Sequence, residues 1–201
     1  MPETTCTLCG RPYWSGPSHW CGNCLSSPPP YQSARAAVVY GGEAAHSILK
    51  LKYHGGLNQA AALAALFCER DVIKTETLAD IVIPMPLTAE RLARRGFNQA
   101  AELAAEVFGE KSVPVSERIL ERTHDGHRRL AALSAKERRQ AVKGCFRVAA
   151  PQEVRGAAIM LFDDILTTGS TAGEAARTLM EGGATRVDIR TIARTVPAQW
   201  R

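Results

Sequence analysis

An α/β fold on a mostly parallel sheet, preceded by a small separate module, is what the sequence predicts, and three observations predict it. From Ala34 onward short β-branched runs alternate with longer alanine-rich helical segments, the pattern of strand–helix–strand units. The apolar run Ala158 to Phe162 leads into an acidic pair, a hydroxyl-rich segment and a helical stretch. Two CxxC pairs crowd the first two dozen residues.

The module comes first in the chain. Cys6 and Cys9, then Cys21 and Cys24, account for four of the six cysteines. Each pair can bring two thiolates to one side of a tetrahedral ion while backbone amides turn toward the sulfurs, and zinc is the expected metal. His19, in the loop between the pairs, could replace one cysteine, although four cysteines are preferred. Two disulfides or a redox pair are the alternatives. Four protein ligands leave no open coordination position, so the role is structural. Arg11, Tyr13, Trp14 and Trp20 either form the small core of this module or present a basic and aromatic face to a partner. Pro28-Pro29-Pro30 reads as a stiff linker, which puts the module and linker at 1–30 and the main domain at 34–201.

In the main domain, apolar periodicity predicts helices near 43–53, 57–75, 98–109 and 171–181. The alanine-rich segment Gln59 to Phe67 is a helix former and not low-complexity sequence. Asp80 to Met85, Ala157 to Phe162 and Arg186 to Ile192 read as core strands, the first two apolar enough to be buried on both faces. No internal repeat is visible.

The segment Asp163 to Thr171 carries the clearest chemistry. Ligands of open α/β sheets bind outside the carboxyl ends of strands, where the sequence places this loop. A helix N-terminus there favours phosphate. Gly169 permits close backbone approach, and Thr167, Thr168, Ser170 and Thr171 offer hydroxyl donors. Thr171 and Glu174 also have the spacing of a capping box. Asp163 and Asp164 set two like charges side by side, which calls for hydroxyls or a cation to compensate them.

Phe162 to Thr171 resembles the phosphoribosyl pyrophosphate (PRPP) motif of type I phosphoribosyltransferases. The resemblance implies that fold, with Asp163 and Asp164 on the ribose hydroxyls as the catalytic pair and Thr167, Thr168, Gly169, Ser170 and Thr171 on the 5′-phosphate. Mg²⁺ would accompany PRPP. Ile81 to Leu87, followed by Arg91 and Arg94-Arg95-Gly96-Phe97-Asn98-Gln99, resembles a stretch of the ComF family, which joins an N-terminal zinc module to this domain. The likeness covers nearly the whole chain. A helical turn would gather Arg91, Arg94 and Arg95 beside a strand end, able to clamp pyrophosphate or a nucleic-acid backbone. The plainer reading is a charged turn with Asn98 as cap and Phe97 in the core.

Ile48 to Gly55, centred on Leu51-Lys52-Tyr53, also resembles a ComF segment. Lys52 is expected near the ligand's phosphates, and His54 is either an acid–base group or a partner of a helix C-terminus. Arg118 to Arg147 holds nine Lys or Arg against three Asp or Glu, a field concentrated enough for a lid over PRPP or a DNA track. Arg122, Thr123, Leu133, Ser134 and Arg138 follow the ComF pattern, whereas Leu130 and Ala141 stand where that family has Gln and Asn.

The formal net charge of +5 suits a partner bearing phosphates. No apolar run reaches the length of a membrane span, and the N-terminus lacks the pattern of a secretory signal. A cytoplasmic protein without membrane insertion is expected. The resemblance implies a competence protein that binds PRPP or a nucleotide, with single-stranded DNA and the helicase or translocase of DNA uptake as partners. The alternatives are a metabolic phosphoribosyltransferase acting on a nucleobase or amine, and a PRPP-sensing pseudo-enzyme.

Overall fold

The computed structural model describes residues 4–13, 16–53, 58–70, 79–109, 113–125, 137 and 140–196. Its centre is a four-stranded, all-parallel sheet in the order β1-β6-β5-β2. The strands are β1 (Ser33–Val39), β2 (Ile81–Pro84), β5 (Ala158–Leu166) and β6 (Arg186–Arg194). A separate antiparallel ribbon joins β3 (Leu120–Arg122) to β4 (Phe146–Val148).

Successive side chains of a strand point to opposite faces, and β5 is apolar on both. Ile159 and Leu161 enter one core with Ile81, Ile83 and Ile189, covered by α7 (Ser170–Glu181) and the β3–β4 ribbon. Met160 and Phe162 enter a second core, with Val82 and Ile192, under α2 (Gly42–Tyr53), α3 (Asn58–Glu69) and α5 (Gln99–Phe108). Phe162 meets Phe67 and Phe108 edge-on, with centroids 5.3 Å and 5.5 Å away. A parallel sheet covered on both faces demands such continuous apolar strands, so the fold class and the two apolar core strands are as the sequence predicts.

Two elements correct the expectation. The acidic pair does not follow β5 but lies inside it, because β6 keeps pairing beyond Phe162, with Asp163 opposite Thr191 and Ile165 opposite Ala193. The second helix ends at Glu69, short of the expected 75, and 71–78 lie outside the described residues. β1 goes unnamed in the sequence reading because Ser33-Ala34-Arg35-Ala36-Ala37 has no β-branched residue before Val38.

Short helices set up the site's rim. α4 (Ala89–Arg95) starts at Thr88, whose hydroxyl accepts from the Arg91 amide, and stops at Gly96 in the left-handed region. Asn98 then caps α5, accepting from the Ala100 amide while its own amide group donates to the Met85 carbonyl. The cap therefore also fixes α5 to the end of β2, and Phe97 packs against the second core.

The N-terminal segment carries its own small core and a short helix, α1 (Gly22–Ser26). It also rests on the sheet. The Ala34 amide donates to the Leu8 carbonyl at 2.7 Å, and Arg35 donates to the Thr7 carbonyl at 2.9 Å. Gly10, at φ 69°, runs so close to β1 that a Cβ there would press on the Ala34 carbonyl. The last short helix, α6 (Pro151–Val154), opens on a proline that suits a first helical turn.

Candidate functional site

The sulfurs of Cys6, Cys9, Cys21 and Cys24 lie within 4.8 Å of one another, and all four residues are buried. Cys6 and Cys24 are 3.8 Å apart, Cys9 and Cys21 3.7 Å. Tetrahedral coordination with bonds of about 2.3 Å separates sulfurs by roughly 3.8 Å, whereas a disulfide would hold them near 2 Å. These cysteines could hold a metal ion such as zinc. The Cys9 and Cys21 amides donate to the Cys6 sulfur at 3.4 Å and 3.3 Å. Burial opposes a thiolate at Cys6, but these amides and that of Leu8 outweigh it and pull the thiol down to about 6. Burial dominates at Cys9 and Cys24 and pushes both up.

Arg194, at the end of β6, supplies an independent test of the fit. It is only 7% exposed, one amino group faces the Cys9 sulfur at 3.9 Å, and Nε and Nη1 have no hydrogen-bond partner among the described residues. A buried, underbonded cation suits a metal–thiolate centre that carries net negative charge. His19 is not in the cluster: it is exposed, stacks on Tyr13 and bonds the Pro17 carbonyl. Tyr13 packs against the cysteine core, Trp20 is 44% exposed, and Trp14 lies outside the described residues.

The second concentration of polar groups sits at the carboxyl end of β5. Asp164 is 4% exposed and forms an ion pair with Lys52, Nζ to Oδ2 2.5 Å. That oxygen has no hydrogen-bond partner among the described residues, so the ammonium compensates its charge without good hydrogen-bond alignment. Asp163 is partly exposed, yet surrounding protein raises its carboxyl well above the ordinary range. Burial is the leading cause and the charge of Asp164 the next, with Lys52 and the Asp164 amide opposing. Lys52 was expected near phosphates, and here it meets the carboxylate.

After Leu166 the chain turns through Thr167, Thr168 and Gly169 into α7. Gly169 has φ 79°, a left-handed value that favours glycine. It occupies the cap position of α7 without a side-chain cap bond, which leaves first-turn amides available to an anion. Thr167 and Thr168 are exposed, and the hydroxyls of Thr168 and Ser170 are 3.1 Å apart. The capping box expected from Thr171 and Glu174 is not formed. The helix begins two residues earlier than that box requires, and Glu174 instead accepts from the Gly144 amide and from Arg177.

Two cavities flank these residues. One, of about 480 Å³, lies between the turn and the cysteine module, with Thr168, Ser170, Tyr31, Arg11 and Arg194 in its walls. The other, of about 530 Å³, is lined by Lys52, Tyr53, Arg91, Arg94, Arg95 and Phe97. The structure thus gathers the three arginines of α4 around one space, which Lys52 connects to Asp164. Arg91 is neutralised there by Asp125 at 2.7 Å.

The expected basic stretch is less open than its composition suggests. Arg118 pairs with Glu153, Arg122 with Asp125, and Arg147 with Glu121. Residues 126–136, 138 and 139, among them Arg128, Arg129, Leu130, Leu133, Ser134 and Arg138, lie outside the described residues, as does His54. Sequence reasoning missed Tyr31 and Arg194. The signal for Arg194 was its place at the carboxyl end of a strand parallel to β5, where ligands of such sheets gather.

No protein-family model matches the chain. Among solved structures, an allosteric regulatory enzyme of purine biosynthesis aligns with 65% of this chain and 24% of its own, at 21% identity and TM-score 0.39. Glutamine PRPP amidotransferase from B. subtilis aligns with 66% of this chain and 25% of its own, at 22% identity and TM-score 0.36. The chain spans about a quarter of those proteins' length. Curated relatives match far more completely. DNA utilization protein YhgH of Salmonella typhimurium is 32% identical over 95% of this chain and 84% of its own length. YhgH of Escherichia coli K12 is 32% identical over 96% and 86%, and competence protein F of Haemophilus influenzae 29% over 94% and 84%. On that extent of identity, with the parallel sheet and cysteine cluster in place, the chain belongs to the ComF family of DNA utilization and competence proteins.

Proposed function

We propose that the chain binds PRPP, or a nucleotide presenting the same ribose 5-phosphate, at the carboxyl end of β5, and that it handles single-stranded DNA during DNA uptake or use. One observation carries the reading. An acidic pair, with Lys52 on its second member, runs directly into a glycine turn and an uncapped helix start. Ribose hydroxyls would donate to Asp163 and Asp164. The 5′-phosphate would accept from Thr167, Thr168, Ser170, Thr171 and the first amides of α7. Arg94 and Arg95 would face the pyrophosphate group, and Mg²⁺, when bound with it, would screen its charge. The DNA half of the reading draws on the names of the relatives and on the basic cavity beside Asp164.

Calorimetry of PRPP with Mg²⁺ tests the first half. The double variant Asp163→Asn, Asp164→Asn is expected to lose binding while it still melts cooperatively. Unchanged affinity in a folded variant would remove the proposal. Pyrophosphate release with a panel of nucleobases then separates a transferase from a binding protein.

A further inference from the structure

We propose that the 530 Å³ cavity between α2 and α4 is a stacking site for one nucleotide of a single strand, with Tyr53 as the base platform and Arg94 and Arg95 as the phosphate contacts. The proposal deepens the single-strand reading above and rests on it. Tyr53 ends α2 and is 69% exposed, although α2 is anchored through Ile48 and Leu51 and needs no help from this ring. The Arg95 guanidinium lies 5.8 Å from the Tyr53 centroid, within cation–π range. Such a pair leaves the opposite face of the ring as the natural place for a base.

Charge accounting favours a phosphodiester ligand. No Asp or Glu is among the described lining residues. Lys52 is matched by Asp164 and Arg91 by Asp125. Arg95 bonds only the side-chain oxygen of Gln99 among the described residues, a neutral group, and exposed Arg94 has no carboxylate partner among them. Two uncompensated guanidiniums therefore stand beside an exposed phenol ring and the half-buried Phe97. The pyrophosphate group of PRPP and a strand would share Arg94 and Arg95 and so exclude one another, and of the two the strand also uses Tyr53. A duplex would hide the base faces that Tyr53 can stack. A single strand uses both, and sequence preference should be weak because every base has a π face.

The test compares a fluorescent oligodeoxythymidine with an abasic strand of equal length, by anisotropy at low salt, on the full-length metal-loaded chain. The wild type should prefer the thymidine strand. Tyr53→Ala should bind it roughly tenfold more weakly and lose the preference, while Tyr53→Phe keeps both. Arg94→Ala should retain the preference but reduce the log–log salt slope by about 0.7, one phosphate contact on a single strand. Circular dichroism confirms that each variant is folded. Undiminished preference in Tyr53→Ala overturns this site and leaves single-strand binding in place. If the wild type binds neither strand, the single-strand reading falls, and this site with it.

Discussion

The cysteine module and the carboxyl end of β5 both crowd negative groups together, and they do so for opposite reasons. In the module the four sulfurs are the core itself: their cluster takes in Leu8, with Tyr13 partly packed alongside. At the end of β5 the carboxylates sit on top of two apolar cores that need neither of them. The module's charge is organised by its own amides and by Arg194. Among the described residues the acidic pair has Lys52 and one backbone amide to set against burial and mutual repulsion. Charge that a fold requires is satisfied from within, and charge that it merely tolerates marks a place for something else.

The largest effect expected is removal of the module's metal. A structural zinc contributes on the order of 10 kcal/mol to the fold it organises, and so small a core cannot replace that. Chelation should expose amides from Cys6 to Ser27 to rapid hydrogen exchange while β5 and β6 stay protected. The hydrogen bonds from Ala34 and Arg35 to the module should make β1 the part of the sheet that loosens first. Protection lost equally across β5 and β6 would mean that the two regions are one cooperative unit and not the two that the cysteine spacing suggests.

The converse perturbation is Phe162→Ala, one residue before the acidic pair. Phe162 is fully buried against Phe67 and Phe108, so its truncation should cost about 3–5 kcal/mol, measured by urea unfolding. Metal stoichiometry in the folded fraction should not change, because the cysteine centre draws nothing from that core.

The same contrast explains what was legible in the sequence. Features made by neighbours in the chain could be read directly: the CxxC pairs, the apolar β5, the start of α7, and Asn98 capping α5. What depended on distant pairing could not. β1 is a strand because β6 lies beside it, not because of its own alanine-rich composition. The neutralisation of Arg118 and Arg147 comes from Glu153 and Glu121, carboxylates distant in the chain whose positions only the fold decides. Lys52 is placed on Asp164 by the packing of α2 against the sheet side that holds Ile48 and Phe162. The capping box failed for a related reason, since Gly144 and Arg177 compete for Glu174 once the tertiary structure forms.

The smallest effect on stability should also be the one with the unexpected sign. Burial and the neighbouring Asp164 raise the Asp163 carboxyl well above its ordinary range, so folding disfavours its ionised form. Below the unfolded-state pKa the group is protonated in both states and costs nothing. As pH rises from there through the raised folded-state value, the unfolded chain releases the proton more readily, and stability falls. Above the folded value the full penalty applies. Asp163→Asn removes the titration while keeping the shape, so it should match the wild type in acid and melt slightly higher at neutral pH. Thermal unfolding across that pH range, with the metal kept bound, is the measurement. A variant less stable than the wild type at neutral pH would show that the fold depends on this carboxylate, and the contrast with the cysteine module would disappear. A gain in stability together with lost PRPP binding is the combination expected of a group kept for its ligand.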